Sequence, residues 1–518
     1  MSGLVDLPAD DLQDPFGEEV HIKRKSNATF IDSDTDDSNL ARDLKDSLVL
    51  DENKDLNVSS VIESDTAAEE EDRRKRNSSF VEQPLPPEIE ETFGRKYSHE
   101  DSSHPNWVKH KKHVFALSLA GKPIYSRYGD EQNLAPFMGA LTAMVSFVQV
   151  MDDNLRYVVA GAHRFAFLVR GSIILVSVSR TDEPTAQITS QLNYIYSQII
   201  SILTAGVNQI FSRKPNFDLR SLLGGADRFI DSLNTLMDHD FSFLLNSIHC
   251  LKLPPQTRAS IAQVLQQAQH TDLLYSIMIA GHQLINLVRP KKYVLQPADL
   301  HLVINFVHAS TALRNGNENW TPLCLPKFND TGFLHAYVCF IAPDVCLLLL
   351  STKQECFFEL SSCKGMITQG LNVKGAGSLG PNFSLMDDIL KAYENPDYSV
   401  SELGVPGLLH FVYRSKGTLQ YTCPRFETPY NTSKEQKRLY RMYQRVHRRT
   451  HGLKLAHKVY YQVSQLETFL GWVTAGFELF AVFGPLDTKS MCIKGCNDIL
   501  KWIKNEENSI MIINSPVW

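Results

Sequence analysis

The sequence predicts an α+β protein: three copies of a β-β-α-β-β-β-α unit, each an antiparallel sheet with helices packed on it, behind a disordered acidic N-terminal tail. Period-two alternation broken by a Gly-containing turn occurs three times, in FALSLAGKPIYSRYG (115–129), YSIMIAGHQLINLVR (275–289) and LHFVYRSKGTLQYTC (409–423). That pattern is a β-hairpin. Each hairpin is followed by residues of helical period, strand-like runs and a closing helix, and copying of one unit is the simplest explanation. The 518-residue length also suits about three domains.

Residues 1–105 form the tail. They hold 27 Asp and Glu against 12 Lys and Arg, a balance of −15, whereas the rest of the chain holds 31 acids and 40 bases, a balance of +9. Segments such as IDSDTDDSNLARDLKD and ESDTAAEEEDRRKRNSSF carry too little apolar surface to form a core. Arg73, Arg74, Lys75 and Arg76 precede Ser78 and Ser79, a context that basophilic kinases read, and Ser33 and Thr35 sit among acids. Phosphorylation there would deepen the negative charge.

The first unit, 106–250, opens with its hairpin. Leu134, Phe137, Leu141, Val145 and Val148 then step by three or four, the spacing of an amphipathic helix. The runs LRYVVAG, RFAFLVRG and SIILVSVS are strands broken near Gly161 and Gly171, and Ile188, Leu192, Ile195, Ile199 and Ile202 line a second helix. The second unit, 251–375, repeats this with ADLHLVINFVHAS as helix, FLHAYVCFIA and VCLLLLST as strands, and CFFELSSCKGMITQGL as its close. Residues 376–405 are expected as a linker. The third unit, 406–518, has its helix over 434–451, strands in KVYYQVSQ, TFLGWVTAG and FELFAVFGP, and a last helix in MCIKGCNDILKWIK.

Nine cysteines, an odd number scattered among apolar residues, read as free thiols in a reducing cytosol. The acidic first thirty residues lack the apolar core of a secretory leader. The most apolar stretch, 468–486, carries Glu478, Gly471 and Gly476 and reads as two strands rather than a membrane span, so membrane contact is expected to be peripheral.

Chemical motifs are weak. Gly375-Ala-Gly377-Ser-Leu-Gly380 matches a dinucleotide-binding pattern but lacks the strand before it and the helix opening at its last glycine. His447 and His451 share a helix face, but Arg448 stands where a zinc protease needs its Glu, and the surrounding cations repel a metal. Cys492 and Cys496 read as core-facing thiols. No nucleophile, acid–base pair, cofactor or metal site is expected. One constellation stands out: Lys434, Lys437, Arg438, Arg441, Arg445, Arg448 and Arg449 gather on one helix with only Glu435 opposing them, and Lys454, His457 and Lys458 extend the patch. Solvated surface helices normally mix both signs. An anionic lipid surface is the favoured partner, with an acidic protein or the chain's own tail as alternatives. No nucleic-acid-binding motif accompanies the patch.

The stretches KHVFALSLAGKPIYSRYGDE, VVAGAHRFAFLVRG, SQLNYIYSQIISILT, LLYSIMIAGHQLINLVRPKKY and VPGLLHFVYRSKGTLQYTCPRFE resemble the Mon family of vacuolar fusion proteins, whose members have three longin domains. The resemblance runs from about Trp107 to Trp518. It implies pairing with a Ccz-family tri-longin subunit through the first longin domains, and guanine nucleotide exchange activity toward the late-endosomal Rab GTPase without covalent chemistry. In the family the GTPase's first switch is opened, Mg²⁺ is lost and a lysine of the GTPase disturbs the nucleotide site. The resemblance also implies recruitment by the early-endosomal Rab and by phosphatidylinositol 3-phosphate and other anionic lipids, and in animals a third, propeller-containing subunit. The expected role is endosome maturation and vacuole, lysosome and autophagosome fusion. Tyr128, Gly129, Asp130 and Glu131 are candidates for GTPase contact, although a helix entry alone would also explain them. The basic helix suits membrane recruitment. A non-catalytic longin scaffold or Rab effector in vesicle tethering is the alternative, since a fold does not fix a function.

Overall fold

The computed structural model describes Tyr97, Glu100 and residues 102–518, except 182, 316–317, 396 and 452–457. Residues 1–96 of the tail, with its serine motifs, and Lys454 and His457 lie outside the described residues. Three five-stranded antiparallel arrangements follow one another, with the strand order of the first recurring in the second and at the heart of the third.

In the first unit β1 (Lys112–Ser118) and β2 (Pro123–Ser126) form the expected hairpin, followed by α1 (Ala135–Gln149), β3 (Tyr157–Ala160), β4 (His163–Arg170), β5 (Ile173–Ser179) and α2 (Thr185–Leu203). The sheet runs β2-β1-β5-β4-β3. Both faces of β1 are covered, so it is buried throughout: Phe115 and Leu117 pack under α1 with Met138, Leu141 and Val145, while Val114 and Ala116 face Ile188, Leu192 and Ile195 of α2. Burying a side chain of this size contributes about 1.5–3 kcal/mol. Four further helices follow α2, namely α3 (Val207–Arg213), α4 (Arg220–Leu223), α5 (Asp227–Leu236) and α6 (Phe241–Leu245), then the short strand β6 (Ile248–His249).

The second unit opens with α7 (Pro255–Gln267), ahead of β7 (Leu273–Ala280), β8 (Gln283–Val288), α8 (Pro297–Ala309) and α9 (Thr311–Asn315). Next come β9 (Asn319–Leu325), β10 (Asn329–Ala342), β11 (Val345–Ser351) and α10 (Phe357–Leu371). Its sheet runs β8-β7-β11-β10-β9. One face shares a continuous core with α2 and α5 of the first unit, and the other packs on α7 and α10.

The segment 376–405, expected as a linker, carries α11 (Leu385–Glu394). Ser384 caps it: its hydroxyl accepts from the Asp387 N–H, and the Asp387 carboxylate accepts from the Ser384 N–H. Leu385, Met386 and Ile389 are buried in the second unit's core, so this part of the segment is structural. The glycine motif is a loop ahead of α11. A side chain at Gly377 would strike the Ser384 carbonyl oxygen at 2.6 Å, and the Gly375 and Gly377 N–H groups both donate to the Phe383 carbonyl. These amides are engaged within the loop.

The third unit comprises β12 (Leu408–Ser415), β13 (Gln420–Thr422), α12 (Ser433–Thr450), β14 (Val459–Val463), β15 (Thr468–Val473), β16 (Phe477–Phe483) and α13 (Lys489–Ile510). β6 joins this sheet, giving β14-β15-β16-β12-β13-β6, with Ile248 and His249 parallel to Gln420 and Tyr421. α13 covers one face, where Cys492 and Cys496 are buried, and α12 covers the other with Phe241, Leu244 and Leu245 of α6. The stretch 468–486 is the two-strand turn expected. Among the described residues, no helix is long and apolar enough to cross a membrane.

Candidate functional site: the basic helix and its junction with the first unit

The chain turns into α1 through the candidate residues Tyr128–Glu131. Tyr128 is 9% exposed, its ring stacked on His110 at 3.7 Å. The Gly129 N–H donates to the Tyr97 carbonyl at 3.0 Å, and Gly129 has φ +80°, a conformation that suits glycine. Glu131 accepts from the Ser126 N–H at 2.7 Å. Asp130 is exposed and accepts from the Gln132 N–H. Three of the four residues thus build the turn, and Asp130 is the one that faces solvent.

α12 has the two faces its spacing predicts. Thr432 caps it by accepting from the Glu435 N–H. Leu439, Tyr440, Tyr443 and Val446 are buried against the sheet. Lys434, Lys437, Arg445, Arg448 and Arg449 are exposed, and Arg441 is half-buried. Arg438 differs: its guanidinium is bound by Glu467 as well as Glu435, with Nη1 3.0 Å from Glu467 Oε2 and Nε 2.7 Å from Glu435 Oε2. Sequence reading finds Glu435 within the helix; Glu467 arrives from the turn before β15 and carries no local signal.

At the other end of α12, His447 and His451 stack at 4.0 Å and Glu478 of β16 joins them. Among the described residues this is the group whose ligand atoms could hold a metal ion. Its carboxylate is already engaged: Arg414 lies 3.0 Å, His451 3.1 Å and Lys416 3.3 Å from Glu478 Oε1. Burial would raise the Glu478 carboxyl, but His451 and Arg414 hold it down at about 2. Burial and the neighbouring His451 push His447 down to about 3. The chemistry of the group is that of an ion-pair cluster.

The two predicted sites meet where the first and third units touch. Lys112 of β1 is buried between Glu183, at 3.1 Å, and Asp238, while Arg127 reaches Asp238 at 3.1 Å. From α12, Gln444 donates to Glu183 at 3.1 Å and the Tyr440 hydroxyl donates to the Asp240 carbonyl at 3.1 Å. Burial alone would raise the Asp238 carboxyl; Lys112 and Arg127 bring it down to about 2. Above this cluster lies a recess of about 130 Å³ whose lining includes Lys111, Arg127 and Tyr128 from the first unit and Lys437, Tyr440 and Arg441 from α12. Tyr128 and two of the predicted membrane-facing cations therefore line one recess.

The first unit also exposes apolar surface. Among the described residues, strand β3 is an unpaired sheet edge on which Tyr157 and Val159 are more than half exposed. Phe147, Val150 and Met151 are more than half exposed along and just after α1.

Three sheets that share one antiparallel strand order, each with flanking helices, define a chain of three longin domains. The sequence matches the first, second and third longin domains of FUZ, MON1 and HPS1 over residues 112–233, 271–369 and 407–507. It is 40% identical over 453 residues to vacuolar fusion protein MON1 homolog A of Gallus gallus, covering 87% of this chain and 80% of that one. It is 41% identical over 418 residues to Protein SAND of Takifugu rubripes, and 38% identical over 431 residues to vacuolar fusion protein MON1 homolog B of Homo sapiens. Each of those alignments covers 80% of this chain and 78% of the relative. The chain belongs to the MON1 family of vacuolar fusion proteins.

Proposed function

We propose that this chain is one subunit of a heterodimeric guanine nucleotide exchange factor that activates the late-endosomal Rab GTPase, with a Ccz-family tri-longin protein as its partner. The observation that carries the reading is family membership across all three longin domains, together with the open edge β3 and the exposed apolar residues of α1 on the first of them. An unpaired strand edge accepts a further strand or a partner's sheet, and apolar side chains beside water favour being covered. Exchange requires no covalent step: a factor that binds the nucleotide-free GTPase more tightly than the loaded form shifts the equilibrium toward release. Backbone surfaces and shape suffice for that work.

The exposed cations of α12 support peripheral recruitment, since each Lys or Arg near an anionic leaflet contributes about 1 kcal/mol. Phosphatidylinositol 3-phosphate, the early-endosomal Rab and, in animals, a propeller-containing subunit complete the proposal, which places the complex on endosome, lysosome or vacuole, and autophagosome membranes.

The test is release of a fluorescent guanine nucleotide from the late-endosomal Rab, with the chain alone and co-expressed with its Ccz partner. The expected outcome is acceleration by the pair at catalytic concentrations. A well-formed pair that binds the GTP-loaded Rab without changing release, while EDTA releases nucleotide normally, would replace this reading with a tethering scaffold.

A further inference from the structure

We infer that the recess between the first and third units is a binding site for a single phosphate group, held jointly by Lys111 of the first unit and Lys437 and Arg441 of α12. The argument starts from charge. The recess floor is balanced, with Lys112 and Arg127 set against Glu183 and Asp238. Its rim is not: Lys111, Lys437 and Arg441 form no ion pair among the described residues. Three unpaired cations drawn from two units therefore line one recess, an arrangement that favours an anion.

Size and chemistry narrow the ligand. The volume of about 130 Å³ lies below the range of roughly 300–1,000 Å³ typical of sites for drug-sized molecules. A single phosphate group suits a recess of this size. A phosphate ester carries about −1.5 to −2 charges near neutral pH, closer to the rim's demand than a carboxylate. Arg441 can grip it bidentately and the lysines act as point charges. The Tyr128 hydroxyl, which makes no hydrogen bond among the described residues, adds a neutral donor at the wall. The floor carboxylates hold the anion at the rim, between the two units, where it clamps them together.

The inference rests on α12 as an anion-facing helix and adds a defined site that includes first-unit residues. Free phosphate, a soluble inositol phosphate and a phosphoinositide headgroup share the required chemistry, and the experiment separates them. The full chain is tested for thermal stabilisation by inorganic phosphate and inositol hexakisphosphate. It is also tested for co-sedimentation with phosphatidylcholine vesicles containing either a phosphatidylinositol monophosphate or phosphatidylserine. Lys437→Gln/Arg441→Gln is compared with Lys434→Gln/Arg449→Gln, which removes equal charge from α12 outside the recess, and with Lys111→Gln from the other unit.

The expected result is phosphate-ester binding weakened roughly tenfold or more in the recess pair, weakened in the same sense by Lys111→Gln, and retained in the control pair. A response to the soluble probes identifies a free ligand, and a response confined to the phosphoinositide vesicles identifies a headgroup; either supports the site. Equal loss in both pairs, or no binding of any phosphate probe, overturns it. Phosphoinositide and phosphatidylserine binding both lost equally in the two pairs would leave the membrane reading of α12 standing while removing the recess.

Discussion

Arg438 and Arg448 lie on the same helix in different surroundings. Arg438 is locked to Glu467, which is buried, and to Glu435, whereas Arg448 is exposed and forms no ion pair among the described residues. Removing Arg438 leaves a buried carboxylate without its partner, so Arg438→Gln should lower unfolding free energy by about 2–3 kcal/mol in denaturant titrations. The same change should cost little vesicle affinity. Arg448→Gln should do the reverse, leaving stability within about 0.5 kcal/mol and weakening binding to anionic vesicles about fivefold, the equivalent of roughly 1 kcal/mol. An inverted order of vesicle affinities would show that Glu467 does not withdraw Arg438 from the surface. The stripe itself was legible in the sequence because residues three and four apart share a helix face. The capture of Arg438 was not, because its partner stands 29 residues away and no local period records it.

Elements tell the same story at longer range. The exposed edge β3 presents Tyr157 and Val159 to solvent. Val159→Lys should therefore leave the isolated chain's stability nearly unchanged, yet weaken association with the proposed Ccz-family partner about thirtyfold if this edge lies at the centre of the interface, as calorimetry would show. Unaltered association would place the partner elsewhere. All three hairpins and the helices that follow them could be read from periodicity alone. β9 could not: its sequence, NWTPLCL, contains Pro322, which demotes a strand pattern and is tolerated at a sheet edge, where β9 lies. α11 was hidden within a Gly- and Ser-rich stretch that reads as a linker, although Ser384 and Asp387 form a recognisable capping box. The helices between 207 and 245 bury their faces against neighbouring units, and β6 is too short to carry any period.

For the whole molecule, burial of histidines sets the response to acid. Burial is the leading cause that pushes His113, His301 and His308 down to about 4, and His410 and His447 down to about 3, from the ordinary 6.5. The unfolded chain then binds more protons than the folded one between those values and about 6.5. Stability is full above pH 6.5 and falls as the pH drops below it, by up to about 1.4 kcal/mol per pH unit for each group. His451, raised by Glu478 against burial, acts in the opposite sense: its contribution is full below 6.5 and is lost as pH rises through its folded-state value. Burial also lowers His249, His282 and His335, while the Asp299 carboxyl, which burial raises to about 6, acts in the same sense as His451. The lowered histidines outnumber these two, so the urea midpoint should fall between pH 7.5 and 5.5, and His410→Phe should shallow that slope if the variant folds. A midpoint independent of pH would refute the assignment. The units also depend on one another: the first and second share a core, and the third sheet borrows β6 and packs α6 beneath α12. A fragment cut at 406 would thus be more than a smaller protein. It would carry β13 with its outer backbone groups bare and an apolar hollow where Phe241, Leu244 and Leu245 had been, a template for pairing with whatever strand came next.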